Sequence, residues 1–425
     1  MQPREHPQRR ALNDEVHARP PLRLAGAQRI VFLAIQHEPG DRAAQRDALA
    51  RFAAQAGAQL PEGNPDHVVV TFGPIRLKWE GHTEFTSYTF CGDRREGESP
   101  AQLLARAGWP SIAADLPGEV VVAVSVELTP FAGEEPPPDA YRPEGETVIG
   151  GALAEGRAWG YADFRIRADG FTHFLILNRS MGLGQAGRMV QRVLDIETYR
   201  TMALAAFPVA RSSQPELRAM ESELGGIVER LATTGPEDEP GLLDGLTRLA
   251  ARVERLHNAT RYRFDAAEAY DAIVRRRLEE LREVRIPGLS TIEEFMQRRM
   301  APAMATCRST SRRIDDLAGR VSRASELLRT RVDIVREQQN QEMLASLNRR
   351  QRLQLRLQQA VEGLSIVVLT YYGASLAGVV AKAAKSAGLD VNPDVVAGIA
   401  VPVVALLVFA AARRVRKSLR GEGGP

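Results

Sequence analysis

Two uncharged apolar runs near the C-terminal end, residues 363–381 and 395–412, constrain this chain more than any other feature. They are 19 and 18 residues long. A helix rising about 1.5 Å per residue needs about 20 apolar residues to cross a hydrocarbon layer roughly 30 Å thick. The 13 residues between them, 382–394, make the pair read as a helical hairpin with a short turn. Arg349, Arg350, Arg352 and Arg356 precede the first run; Arg413, Arg414, Arg416, Lys417 and Arg420 follow the second. The turn carries only Lys382 and Lys385. Cytoplasmic flanks collect Lys and Arg, so this pattern places both termini in the cytoplasm and the turn outside. A hairpin buried in a soluble core is the competing reading, and basic clusters at both outer ends argue against it. The lipid bilayer is the first partner to expect.

The remaining composition bounds the rest. A length of 425 residues allows about two or three domains. A net charge of +3, spread along the chain, gives no footprint for nucleic acid. Only four of the 56 basic residues are Lys, a compositional habit rather than chemistry. Cys91 and Cys307 fit no metal or redox spacing and suit reduced thiols. The charged opening MQPREHPQRR lacks an apolar stretch and argues against a signal peptide.

Residues 1–180 read as a cytoplasmic α+β domain. Strand patterns cover 29–36, 67–72, 76–80, 83–90, 119–128, 147–154, 158–166 and 171–177, with helices at 41–56 and 100–107. Runs of strands with few helices between them predict a mostly antiparallel sheet rather than a doubly wound fold. Two polar groups stand out. Asp14, Glu15 and His17 fall within four residues, just before Pro20-Pro21. Glu80, His82 and Glu84 recur at period two, which puts them on one face of a strand. Carboxylates and imidazoles so grouped bind a divalent metal or run acid–base chemistry. The structural alternative makes Glu80, His82 and Glu84 the wet face of a strand whose Trp79 and Phe85 point inward. It makes the first cluster ordinary turn material. No cofactor beyond a divalent metal is indicated. Gly182-Leu183-Gly184-Gln185-Ala186-Gly187 spells a dinucleotide-type glycine pattern, but the helical stretch after it lacks the acidic residue expected about 20 positions on. It reads as a strand-to-helix junction.

Residues 181–286 read as a helical domain. Met189, Val193, Ile196, Tyr199 and Ala203 mark a first stripe, ended by Pro208; Leu217, Met220, Leu224, Ile227 and Leu231 mark a second, after Pro215. A third begins at Leu242, Leu246 and Leu249 and continues to Leu281. Pro287-Gly288 breaks the series, and Ser290-Thr291-Ile292-Glu293 restarts it as a capping box. Residues 287–360 then form a long stalk helix, with a kink expected near Ala301 from Pro302. Ile314, Val321, Leu328 and Val335 repeat every seven residues, with Leu317 and Ala324 at the second seam position. A lone helix cannot bury that stripe, so packing on the middle helices or a homo-oligomer is expected. The stalk leads into the hairpin, 361–412, and a basic tail, 413–425.

Five stretches carry a resemblance. LNDEVHARPP (12–21), KWEGHTEFTSYTF (78–90), QRVLDIETYR (191–200), TRVDIVREQQN (330–340) and QLRLQQAVEGLS (354–365), the last leading into Tyr371-Tyr372, resemble bacterial membrane-anchored proteins grouped as domain of unknown function 3422. The likeness covers nearly the whole chain. It implies an anchor in the bacterial inner membrane and brings no catalytic residues. A looser likeness is architectural: cytoplasmic domain, stalk, two spans and basic tail are similar to CorA-type magnesium channels. Their Tyr-Gly-Met-Asn signature is reduced here to Tyr372-Gly373-Ala374-Ser375, in mid-span.

Three functions stay open at this point. The preferred one is a non-enzymatic scaffold or sensor whose cytoplasmic region binds an unidentified ligand or protein. The second is a homo-oligomeric cation channel. In it Asp390 and Asp394 would form carboxylate rings, Glu362 would guard the inner mouth, and Ala374, Ala377, Gly378 and Ala381 would let helices approach closely. Lys382 and Lys385 oppose it. The third is a membrane-tethered enzyme using His17 and His82, for which no nucleophile or phosphate-loop motif speaks.

Overall fold

In the computed structural model, the described residues are 4–10, 12–13, 20–58, 60, 66–135, 140–142, 147–233, 235, 238–387 and 392–421. They fall into two compact units, Met1–Thr233 with Gly241–Ser325 and Thr234–Pro240 with Glu326–Pro425. The α+β class expected from the strand runs is the one observed.

Alternating apolar residues build the first unit around a nine-stranded sheet. Its strands are β1 (Gln28–Gln36), β2 (His67–Phe72), β3 (Ile75–Gly81), β4 (Phe85–Asp93), β5 (Glu119–Pro130), β6 (Ile149–Leu153), β7 (Ala158–Ile166), β8 (Thr172–Asn178) and β9 (Val284–Arg285). The order is β2-β3-β4-β1-β5-β8-β7-β6-β9. Pairing is antiparallel except between β5 and β8, which run parallel. One face carries the main core. Val31, Leu33, Leu77, Trp79, Tyr88 and Phe90 pack there with Leu49 and Phe52 of α1 (Arg42–Gln55), Leu103 of α2 (Pro100–Arg106) and Ile112 of α3 (Trp109–Ala113). Strand parity turns Phe32, Lys78, Glu80, Ser87 and Thr89 to the opposite face. That face is covered rather than wet. Lys78 and Glu80 are 1 % and 4 % exposed, and α4 (Leu183–Leu204) lies over it with Met189, Val193 and Ile196 buried.

The helical segments depart from the sequence reading in four places. First, α4 ends at Leu204 and α5 (Ala206–Thr233) begins two residues later. Pro208 therefore sits in the first turn of α5, where a missing N–H costs nothing, and Pro215 lies inside that helix rather than before it. Second, α6 (Glu239–Leu281) starts three residues before the apolar stripe. Third, the capping box opens one residue later than its spacing suggested. Thr291 Oγ1 accepts from Glu294 N–H at 3.1 Å, and Glu294 Oε2 accepts from Thr291 N–H at 3.2 Å, starting α7 (Ile292–Arg299). Fourth, in place of the expected kink near Ala301 within one stalk helix, α7 ends at Arg299 and a separate α8 (Ala301–Ser386) follows, with Pro302 in its first turn.

The second unit holds the end of α8 and α9 (Pro393–Gly421). Small residues let these helices approach. Ala374 and Ala381 are buried, a Cβ on Gly373 would lie 2.6 Å from Val404, and one on Gly378 would touch Ala397 at 3.5 Å. Bulky side chains point away: Leu364, Val367, Leu376, Val379, Leu406, Leu407 and Phe409 are all exposed. Both helices are long and apolar enough to cross a membrane, with 18-residue stretches of mean hydropathy 1.8 and 2.7.

Candidate functional site: a polar cavity under the sheet

Register brings the polar residues of the covered face into line. Lys78 stands opposite Thr89, and Glu80 opposite Ser87. Across β1, Thr89 pairs with Phe32 and Ser87 with Ala34. From the helix side, Gln191 and Asp195 are one turn apart on α4, and Arg277 reaches in from α6. Together they make one continuous chain of polar contacts. Lys78 Nζ lies 3.0 Å from Glu80 Oε1 and donates to Gln191 Oε1 at 3.0 Å. Gln191 Nε2 donates to Asp195 Oδ1 at 2.8 Å, and Arg277 Nε to Asp195 Oδ2 at 2.7 Å. Arg277 Nη1 and Arg192 Nε then share Glu280 Oε2 at 2.8 and 3.2 Å. Burial pushes the Asp195 carboxyl up from its ordinary value, opposed by the Gln191 and Arg277 donors.

A cavity of about 170 Å³ opens against this network. Glu80, Ser87, Gln191, Asp195 and Arg277 give it polar walls; Phe32, Phe85 and Tyr199 give it apolar ones. Ser87 is 2 % exposed, and its buried Oγ has no hydrogen-bond partner among the described residues. A neighbouring cavity of about 250 Å³ shares His82, Phe85 and Tyr199 with the first and extends to Arg42, Asp66 and Tyr270. Aromatic contacts frame the passage. His82 stacks on Phe85 with centroids 4.2 Å apart, and Tyr199 stacks on Tyr270 at 5.5 Å.

The residues singled out in the sequence are distributed unevenly over this picture. Glu80, His82 and Glu84 do not share one strand face, because β3 stops at Gly81 and β4 begins at Phe85. His82 and Glu84 occupy the connection. Glu80 lines the cavity, half-buried His82 touches both lobes, and buried Glu84 accepts from Arg263 Nη1 of α6 at 3.0 Å. Asp14, Glu15, His17 and Asp390 lie outside the described residues. Glu362 is half-buried on α8. Exposed Asp394 sits in the first turn of α9, its N–H donating to Asn392 Oδ1 at 3.1 Å. Ala374, Ala377, Gly378 and Ala381 fall on the α8 face turned toward α9, all buried or half-buried. Among the described residues, no group of three or more His, Cys, Asp or Glu is placed to hold a metal ion.

Sequence reasoning missed Lys78, Ser87, Gln191, Asp195, Tyr199 and Arg277 as members of a site. One signal was available: Lys78 is the first lysine in the chain, with no other before Lys382. Two of the stretches that carried the family resemblance, 78–90 and 191–200, supply most of the cavity wall.

Fold and site thus define a class: an α+β unit with an open cavity of mixed polar and aromatic walls, on a chain that also carries two apolar helices of membrane-spanning length. Residues 4–419 match the family described as Protein of unknown function (DUF3422), and the chain belongs to that family. No curated protein matches it.

Proposed function

We propose that the protein is a membrane-anchored binding protein, a sensor or scaffold whose sheet unit takes a small polar ligand in the cavity between β3, β4 and α4. The observation that carries this reading is the Ser87 hydroxyl, buried and without a partner among the described residues, on a wall built of ion pairs. A buried polar group left unpaired costs about 1–3 kcal/mol. A ligand that hydrogen-bonds it offsets that cost in the bound state. The apolar hairpin supplies the anchor, in the bacterial inner membrane with both termini cytoplasmic, as the basic flanks argue. One helix, α8, contains both the stalk and the first apolar run, so the chain offers a direct covalent route from stalk to membrane. Leu327 and Ile334 of α8 are exposed one heptad apart and supply an apolar strip for a second copy.

The test is native mass spectrometry of the full chain, extracted gently from carbonate-washed membranes. A small-molecule adduct is expected on the wild-type protein and lost in Ser87→Leu, whose side chain fills the cavity. Protein released by the carbonate wash would overturn the anchor. An adduct-free wild type that also shows no thermal stabilisation by any small polar solute would overturn the binding reading.

A further inference from the structure

The walls of the cavity are unequal in sign. Glu80 and Asp195 both line it, whereas Lys78, the cation paired with Glu80, is not among the lining residues. Arg277 does line it, but its Nε and Nη1 are already engaged by Asp195 and Glu280. An entering anion would meet two carboxylates, the His82 ring and a guanidinium already paired with Asp195 and Glu280. An entering cation would meet the two carboxylates, a Ser87 Oγ that accepts from no group among the described residues, and the rings of Phe32, Phe85 and Tyr199. Charge-assisted hydrogen bonds to carboxylates and attraction by aromatic rings both favour the cation. The Ser87 hydroxyl adds an acceptor that no group among the described residues uses.

We infer that the ligand is a small organic cation, a primary ammonium or amidinium group on a short carbon skeleton, held by Glu80, Asp195 and Ser87. The inference rests on the binding reading above and specifies its ligand. At roughly 30 Å³ per water-sized unit, about 170 Å³ accommodates on the order of five or six non-hydrogen atoms. The adjoining lobe beyond His82, Phe85 and Tyr199 gives a longer skeleton somewhere to extend. Asp66 stands at that second lobe, paired with Arg42 at 2.5 Å.

Three probes of equal carbon count separate the alternatives: n-butylammonium, n-butyrate and n-butanol, titrated by calorimetry into the full chain in mild detergent at constant ionic strength. Saturable binding of n-butylammonium alone is expected. Asp195→Asn should weaken it by about tenfold or more, and Ser87→Ala by severalfold. Asp195→Asn keeps the shape of the site, and Arg277 retains Glu280. Should that variant fail to fold, Ser87→Ala alone decides, because it removes one hydroxyl and no charge. Binding of butyrate or butanol as tight as that of butylammonium overturns the cation and leaves the binding function standing. So does a co-purifying adduct, lost in Ser87→Leu, that proves neutral or anionic. If no probe binds and no adduct is found, the function and the inference fall together.

Discussion

Lys78 shows what one residue does at this site. In a chain that uses Arg at 52 of its 56 basic positions, a lysine 1 % exposed marks a place that needs a compact cation. An ammonium places three donors around one nitrogen, and two of them reach Glu80 and Gln191; a planar guanidinium fork would need more room. Lys78→Met should destabilise by about 3–5 kcal/mol, because it leaves Glu80 charged and buried without its cationic partner. Lys78→Met with Glu80→Gln should cost less than Lys78→Met alone, and denaturant unfolding of the four variants of that cycle measures the difference. Glu197 makes a parallel case that depends on pH. It is 1 % exposed; Arg200 Nε donates to its Oε2 at 2.6 Å, while Oε1 has no partner among the described residues. Burial, reinforced by Asp163, holds its carboxyl above the ordinary value against the pull of Arg200. A raised acid means that the folded state holds the proton more tightly than the unfolded chain. Stability from this group is therefore greatest below the unfolded pKa and declines as pH rises through the folded one. Arg200→Met removes the opposing cation and extends that decline. Its loss of melting temperature should be larger at pH 8 than at pH 5, and a deficit independent of pH would contradict the account.

At the scale of elements, the glycine pattern before α4 acquires a structural explanation. A Cβ on Gly187 would stand 1.6 Å from the Leu22 carbonyl oxygen, whereas one on Gly184 would meet only Arg188 Nη1 at 3.4 Å. The segment ahead of β1 lies against the first turns of α4, with Leu24 N–H donating to the Leu183 carbonyl at 3.1 Å. Gly187→Ala should therefore cost about 3 kcal/mol or more, since the clash is with backbone. Gly184→Ala should be neutral or stabilising by up to about 1 kcal/mol from helix propensity. Thr291→Ala, which removes the cap of α7, should cost about 1 kcal/mol. Thermal melts of the three variants rank them. These elements also show how far the sequence could be read. Strand after strand was legible because alternation is a local property: the pattern at 29–36 became β1, and that at 158–166 became β7. The cavity was not legible, because its parts lie far apart in the chain. Lys78 and Gln191 are 113 positions apart, and Asp195 and Arg277 are 82 apart. Period two showed that Glu80 faces away from Trp79, but not that α4 covers that side. The same period carried the strand through His82, although the chain turns there. Nor did spacing reveal that Pro208 begins a helix, since a proline ends one helix and opens another with equal ease.

For the molecule as a whole, the decisive question is which side of a membrane each part occupies. Within the hairpin, α8 and α9 meet through Gly373, Ala374, Gly378 and Ala381, and their bulky residues face outward over both helices. In water such a surface would be a large aggregation liability; in a lipid layer it matches its surroundings. The arrangement also commits the small residues of α8 to its own partner helix. Any assembly of copies in the membrane would then pack on outward-facing side chains such as Leu376 and Val379. The orientation proposed from the basic flanks is open to a test by cysteine labelling. The native Cys91 and Cys307 are both buried, so they give little background with a folded protein. Ser386→Cys places an exposed thiol at the end of α8, beside the turn, and Gln351→Cys places one before the first apolar run. A membrane-impermeant maleimide added to intact cells should label Ser386→Cys and spare Gln351→Cys, while broken membranes should yield both. The opposite pattern would invert the orientation and put the cavity outside the cytoplasm. Labelling of both thiols in intact cells would show that the first apolar run does not cross, and the hairpin would then have to lie along the surface it was proposed to span.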